Sequence, residues 1–165
     1  MKAKLYLEST VPSYYLARPS RDVVIAAQQH QTRDWWERHS SGFDVHISQI
    51  VLDEISAGDG EMAKRRIELV RHFTLVRITE EAVALADALL HGGPIPEKAS
   101  RDAAHIALAA VHRMHFLVTW NCKHIANPMM QRQIGKVCAR HGLSAPVICT
   151  PAELMANLIY ENEGV

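Results

Sequence analysis

Five short apolar runs alternate with longer stretches of helical periodicity along the chain. The apolar runs predict β-strands at residues 3–7, 43–47, 73–78, 115–120 and 146–149. Between them, apolar residues recur three and four positions apart, as expected for helices that pack one face against a sheet. This alternation is typical of a parallel sheet with helices on both faces. The sequence therefore predicts an α/β fold of three layers, α/β/α, around a mostly parallel five-stranded sheet.

Capping signals indicate where several helices begin. Ser48 and Thr79 precede helical stretches and are predicted N-caps, and Thr150-Pro151-Ala152-Glu153 is a capping box with proline at the first helical position. After the first strand, Val11-Pro12-Ser13 is predicted to interrupt regular structure. Two helices lie between the third and fourth strands. We therefore expect the connector at residues 92–99 to return from the opposite edge of the sheet to the edge where the strands end.

Composition indicates one domain over residues 1–165, with 48% hydrophobic and 22% charged residues. Lys plus Arg equals Asp plus Glu at 18 each, so a site for a polyanion must be a local patch. The three cysteines have no paired spacing, which favours free thiols and a cytoplasmic protein. The apolar run near the N-terminus is too short for a signal peptide, and no stretch is long enough to span a membrane.

Acidic and amide side chains accompany the predicted strand ends: Glu8, Asp53 or Glu54, Asp102 and Asn121. The carboxyl ends of parallel strands meet at one edge of a sheet, where sites form. Converging carboxylates are costly unless a cation compensates, and hard oxygen ligands favour Mg²⁺ or Mn²⁺. Such a cation activates water and neutralises a phosphodiester in its transition state. The pattern therefore predicts metal-assisted phosphodiester hydrolysis.

Four segments of the chain resemble the PIN domain family, the fold of many toxin ribonucleases in bacterial toxin–antitoxin pairs. They are LYLESTVPSYY, ISQIVLDEI, SRDAAHIALAA and FLVTWNCKHIAN, and the resemblance runs from Leu5 to about Met155. PIN domains typically carry an acidic residue in each segment. Carried over, the implied catalytic and metal-binding residues are Glu8, Glu54, Asp102 and Asn121. We prefer Glu54 to Asp53 because it lies four residues after Ile50.

Two positions depart from the family pattern, because Glu8 and Asn121 stand where aspartate is usual. Asparagine can ligate through its carbonyl oxygen, but the cluster loses one negative charge. The resemblance implies an endoribonuclease, a hydrolase that cleaves RNA with a metal-activated water. The alternative is a catalytically weakened PIN-like module that binds RNA or a protein partner without cleavage. A third interpretation is a small-molecule phosphohydrolase that uses the same metal edge.

Substrate contacts are predicted beside this edge. The hydroxyls of Ser9 and Thr10 are candidates for holding a metal-bound water or a phosphate. Four basic residues in loops or at helix starts are candidates for RNA phosphates: Arg18, Arg21, Lys98 and Arg101. Four histidines lie near residues 100–127 and have no HExxH motif or Cys/His array, which disfavours zinc: His105, His112, His115 and His124.

Partners follow from the resemblance. RNA is the implied substrate, and a toxin role implies a small antitoxin protein. Homodimers are common in the family, and apolar surface near Trp35-Trp36 or on the last helix is a candidate contact. The same tryptophan pair is also interpreted as an internal packing edge. We expect no membrane partner.

Overall fold

A computed structural model describes residues 1–162, with side chains described through residue 156. Its centre is a sheet of five parallel strands in the order β3-β2-β1-β4-β5. The strands are β1 Ala3–Leu7, β2 Phe43–Ser48, β3 Thr74–Val76, β4 Phe116–Val118 and β5 Val147–Cys149. The predicted five-stranded sheet is confirmed, and all of its neighbouring strands are parallel.

Helices surround this sheet and give the predicted α/β/α layers. They are α1 Thr10–Leu16, α2 Val23–Arg38, α3 Gln49–Ile55, α4 Gly60–Val70, α5 Glu80–Leu90, α6 Ser100–Val111, α7 Pro128–Arg140 and α8 Pro151–Asn162. Short 3-10 turns occur at Ser40–Gly42 and Glu97–Ala99. Within the described chain, no helix combines the length and hydropathy that crossing a bilayer requires.

The core is centred on β1, β4 and α6. Leu5, Tyr6 and Leu7 of β1 are completely buried, and so is Leu117 of β4. Helix α6 is buried from His105 through Ala110 because its many alanines let its backbone lie close to the sheet. His105, a polar residue of this helix, therefore lies inside the protein.

The predicted interruption at Val11-Pro12-Ser13 is wrong, because these residues belong to α1. Pro12 is the third residue of this helix. Amide groups in the first turn have no partner within the helix, so proline is tolerated there without the loss of a helical hydrogen bond. The first strand therefore leads directly into a helix at the carboxyl edge of the sheet.

Two predicted caps form as expected. The Thr79 hydroxyl accepts a hydrogen bond of 3.2 Å from the Ala82 amide at the start of α5. At α8, Glu153 accepts from the Thr150 amide at 2.8 Å, and the Thr150 hydroxyl accepts from the Glu153 amide at 3.2 Å. Ser48 occupies the predicted N-cap of α3, but its hydroxyl makes no bond to the helix.

The connector between α5 and α6 does not run from one edge of the sheet to the other, contrary to the prediction from the sequence. The Ile95 amide donates to the Leu89 carbonyl at 3.0 Å, so the chain turns tightly after α5. At the other end, His112 Nε2 donates to the Arg77 carbonyl at 2.7 Å. Helix α6 therefore ends near the start of α5, and the two helices form an antiparallel hairpin. A Cβ at Gly93 would lie 2.2 Å from the Leu89 carbonyl oxygen, so this turn requires glycine.

Candidate functional site

Glu8 lies directly after β1 and is only 3% exposed. Its amide donates to the Val118 carbonyl at 3.1 Å, which continues the pairing of β1 with β4. Oε1 accepts from the Ser9 hydroxyl at 2.8 Å. Oε2 accepts from the Thr10 amide at 3.1 Å, from the Thr119 hydroxyl at 2.7 Å and from the Thr10 hydroxyl. Neutral donors thus hold this buried carboxylate in one orientation.

Glu54 lies in α3 and reaches across to α6. Its Oε1 accepts a short hydrogen bond of 2.6 Å from Nε2 of His105, and its side chain is 21% exposed. Burial alone would raise the pKa of Glu54. However, the hydrogen bond from His105 and the nearby Arg101 guanidinium hold that pKa below its ordinary value. Glu54 is therefore ionised at neutral pH. The neighbouring Asp53 is exposed and bonds to Gln49 at 2.8 Å.

Glu8, Glu54 and His105 form one cluster, in which a ligating atom of each lies within 4.8 Å of the others. An ionised carboxylate only accepts hydrogen bonds, so Nε2 of His105 carries the hydrogen donated to Glu54. In this arrangement that nitrogen has no free lone pair for a metal. The remaining donors are carboxylate oxygens, and this donor set fits a hard cation such as Mg²⁺ or Mn²⁺.

Asp102 lies in the first turn of α6, outside that cluster. Its Oδ1 accepts from Asn121 Nδ2 at 3.1 Å, and its Oδ2 accepts from His124 Nδ1 at 2.8 Å. The side-chain oxygen Oδ1 of Asn121 accepts from the His124 backbone amide at 3.1 Å, which fixes the orientation of the Asn121 side-chain amide. Asn121 thus presents its NH₂ group to Asp102. This orientation makes it a donor that orients the carboxylate and does not favour its predicted role as a metal ligand.

A cavity of about 440 Å³ joins Glu54 to the Asp102–His124 pair. Its wall is formed by the start of α6 and the preceding turn, including Lys98 and Arg101. Two of the four predicted basic residues therefore lie beside the carboxylates. The other two predicted basic residues are exposed in the loop between α1 and α2, outside the lining of this cavity: Arg18 and Arg21.

The predicted hydroxyls lie at the site but already have an acceptor. Ser9 and Thr10 both donate to the Glu8 carboxylate. Thr10 Oγ1 also accepts from the Trp120 amide at 2.9 Å, which links the start of α1 to the segment after β4. The contacts observed for both hydroxyls therefore orient Glu8.

Sequence reasoning missed the side chains that hold the carboxylates in place. His105 entered only as a member of a disfavoured zinc set, yet it contacts Glu54 and lies 2.8 Å from the Tyr6 hydroxyl. Ser48 lies 2.7 Å from the same hydroxyl. Burial raises the pKa of Tyr6 well above its ordinary value, although the Ser48 hydrogen bond opposes this, so the phenol stays protonated. One signal was present in the sequence: a histidine three residues after Asp102, among apolar residues.

The tryptophan pair lies mostly inside the protein. Trp35 is completely buried, and Trp36 stacks on Tyr15 with ring centroids 4.9 Å apart. These contacts agree with the packing interpretation, and the homodimer stays a prediction. The far side chains of the last helix, the other candidate contact, lie outside the described residues.

No protein-family model matches this chain, and a search of curated proteins finds no similar sequence. The geometry of the site and the chemistry of its residues are therefore the basis for a function.

Proposed function

We propose that the protein is a Mg²⁺- or Mn²⁺-dependent endoribonuclease of the PIN type. One observation carries the proposal. The carboxylates of Glu8, Glu54 and Asp102 come from three separate elements to the carboxyl edge of the sheet, and each has its own hydrogen-bond donors. Outer partners that orient ligating carboxylates are a regular feature of metal sites.

Glu8 and Glu54 are the residues that would hold the cation, and Asp102 faces the same cavity as Glu54. Their negative charges repel one another in a partly buried site, which favours a bound cation. A divalent cation bound there supplies Lewis-acid chemistry, which makes water nucleophilic near neutral pH and offsets charge on a phosphodiester. The residues around it keep the three carboxylates in fixed orientations.

Lys98 and Arg101 support RNA as the substrate class. Both line the cavity that contains Glu54 and Asp102, so a phosphate bound by them would lie beside the carboxylates. The chain has no net charge, so this local pair supplies the attraction to a polyanion. Arg18 and Arg21, which are exposed after α1, are proposed as outer contacts to the same strand.

The setting of this activity comes from the PIN resemblance: a cytoplasmic toxin-type nuclease with a small antitoxin protein as partner. The three cysteines are free thiols, as expected in a reducing compartment. Coexpression with the product of a neighbouring small gene, followed by copurification, tests the antitoxin. A light-scattering mass tests the homodimer, and a monomer at micromolar concentration would count against it.

A second function is a PIN-like module that binds RNA or a protein without cleavage. The orientation of the Asn121 side chain favours it, because its Oδ1 accepts from a backbone amide and its NH₂ group faces Asp102. The edge then offers one oxygen ligand fewer than the four-residue pattern of the family. Weaker metal binding and slower cleavage follow from that loss.

Cleavage of pooled cellular RNA tests the proposal, with Mn²⁺, Mg²⁺ or EDTA present. We expect metal-dependent cutting by the wild type and by Asp53→Asn, a control at an exposed carboxylate, and no cutting by Asp102→Asn. Equal cutting by all three proteins would indicate a contaminant and contradict the site. Binding of RNA without cutting under any condition would support the binding module, with Asn121→Asp as the variant that should restore activity.

A further inference from the structure

Four side chains form a continuous hydrogen-bond chain behind the candidate site. Ser48 Oγ lies 2.7 Å from the Tyr6 hydroxyl, which lies 2.8 Å from His105 Nδ1, and His105 Nε2 lies 2.6 Å from Glu54 Oε1. Ser48, Tyr6 and His105 are completely buried, whereas Glu54 reaches the cavity. The chain therefore connects the interior of the protein to one carboxylate of the site.

The direction of each bond follows from its chemistry. Glu54 accepts, so Nε2 of His105 donates. In the neutral imidazole, Nδ1 is then an acceptor, and the Tyr6 hydroxyl donates to it. Tyr6 in turn accepts from the Ser48 hydroxyl. Each group thus has one role: the Glu54 carboxylate keeps the hydrogen on Nε2, and the Tyr6 hydrogen bond to Nδ1 holds the ring in the orientation that donates to Glu54.

The serines at the N-caps of α1 and α3 make no hydrogen bond to their own helices. Asp22, Asp59 and Thr79 cap their own helices with their side chains. Ser48 occupies the same position at α3, yet its hydroxyl turns away from the helix and bonds to Tyr6. Ser9 at α1 likewise bonds to the Glu8 carboxylate. Ser9 thus contacts a site carboxylate directly, and Ser48 is connected to one through Tyr6 and His105.

We propose that Tyr6 and Ser48 are positioning residues, which act through His105 to fix the orientation of the Glu54 carboxylate for a divalent cation. This inference rests on the proposed metal-dependent function. Neither Tyr6 nor Ser48 lines the cavity, and the contact of each with Glu54 is indirect, through the hydrogen bonds of Tyr6 and His105. Loss of the Tyr6 hydroxyl leaves Nδ1 of His105 without a donor. The imidazole then has no partner on its inner side, so its ring can tilt and no longer holds the Glu54 carboxylate in one orientation.

Mn²⁺ binding to the purified protein tests the proposal. Electron paramagnetic resonance measures the concentration of free Mn²⁺ during the titration. We expect Tyr6→Phe to weaken Mn²⁺ binding by about 10- to 100-fold, the usual effect of losing an outer partner of a metal ligand. Ser48→Ala should weaken it in the same direction but less, since the Tyr6 hydroxyl stays in contact with His105. Tyr15→Phe is the matched control, because it removes a hydroxyl that lies 3.5 Å from Glu37, away from the site. Wild-type affinity in a folded Tyr6→Phe protein would overturn the proposal.

A second readout needs no metal. The ¹⁵N spectrum of the His105 ring reports which nitrogen carries the hydrogen. We expect the Nε2–H form in the wild type, in Tyr15→Phe and in Tyr6→Phe, and a displaced Nδ1 resonance in Tyr6→Phe alone, because that nitrogen loses its hydrogen-bond donor. An unchanged ring spectrum would overturn the positioning role. If the wild type binds no Mn²⁺, the proposed metal site fails, and the ¹⁵N comparison still decides whether Tyr6 controls His105. Ser48→Ala serves both measurements if Tyr6→Phe does not fold.

Discussion

A divalent cation should stabilise the folded protein through Glu8 and Glu54. Their carboxylate oxygens lie within 4.8 Å of each other. Two like charges at this distance repel by about 3.5 kcal/mol at an effective dielectric constant of about 20. The partial exposure of Glu54 reduces this value, but the repulsion opposes folding whenever both groups are ionised and no cation is bound. A cation between them removes the repulsion and adds its own attraction.

The size of the effect follows from binding linkage. A ligand at about 100 times its dissociation constant stabilises the state it binds by about 2.7 kcal/mol. For a domain of this size, 1 kcal/mol shifts the Tm by about 2–4 °C. Saturating Mn²⁺ should therefore raise the Tm of the EDTA-treated protein by about 5–11 °C.

Thermal unfolding in EDTA, Mn²⁺, Mg²⁺ and Ca²⁺ checks this prediction. Glu54→Gln is the informative variant, because its amide oxygen can still accept from His105 while the charge is lost. We expect this variant to lose most of the Mn²⁺ shift, and Asp53→Asn, on the exposed face of the same helix, to keep it. An equal shift in the wild type and in Glu54→Gln would mean that the ion binds elsewhere. No shift in the wild type would refute the metal site.

Three further predictions concern the same edge. Asn121→Asp replaces an NH₂ donor 3.1 Å from Asp102 with a second carboxylate, so we expect a lower Tm in EDTA and a larger Mn²⁺ shift; equal values for both proteins would contradict the observed contact. Alanine at both Lys98 and Arg101 should weaken RNA binding and reduce the salt slope of log K by about 1.4 for a single strand, measured by fluorescence anisotropy. The same change in a control variant with alanine at the exposed residues Lys64 and Arg65 of α4 would show that the cavity is not the RNA contact. The pKa of Glu54 is lowered in the folded protein, so its ionisation stabilises the fold above the unfolded-state pKa, and this stability is lost as the pH falls through the folded pKa. Urea unfolding in EDTA should therefore show a smaller loss of stability on acidification below about pH 4.5 for Glu54→Gln than for the wild type, and parallel curves would contradict the shift.

The sequence was sufficient to predict the sheet, because each strand is a short apolar run between helical stretches. Two predictions about the path of the chain were wrong, the first for a local reason and the second because tertiary contacts decide the path. Pro12 suggested a break, although a proline in the first turn of a helix costs no helical hydrogen bond. The hairpin of α5 and α6 depends on a tight turn at Gly93 and on the contact of His112 with Arg77. Neither contact has a signal in the periodicity of the chain.

The carboxylates of the site were predictable because they follow or begin elements that meet at one edge. Their hydrogen-bond partners were not. Tyr6 lies in an apolar strand and His105 among alanines, so the pattern assigns both to the core. The hydrogen bonds of Tyr6 connect residues 42 and 99 positions apart, a separation at which local rules carry no information.

Ser48 shows why the position of a residue could be predicted while its hydrogen-bond partner could not. The capping rule identified its position correctly, because a hydroxyl before a helix is favourable wherever it accepts from the first turn. That cap is worth about 1 kcal/mol, and the protein does without it. The hydroxyl instead bonds to Tyr6 inside the core, where both hydroxyls are completely buried and a hydrogen bond left unmade costs about 1–3 kcal/mol. The bond to Tyr6 therefore prevails over the local cap once the fold brings the two residues together. Departures of this kind are expected where local preference gives way to a functional arrangement, and here both cap serines that depart, Ser9 and Ser48, lead to a carboxylate of the candidate site.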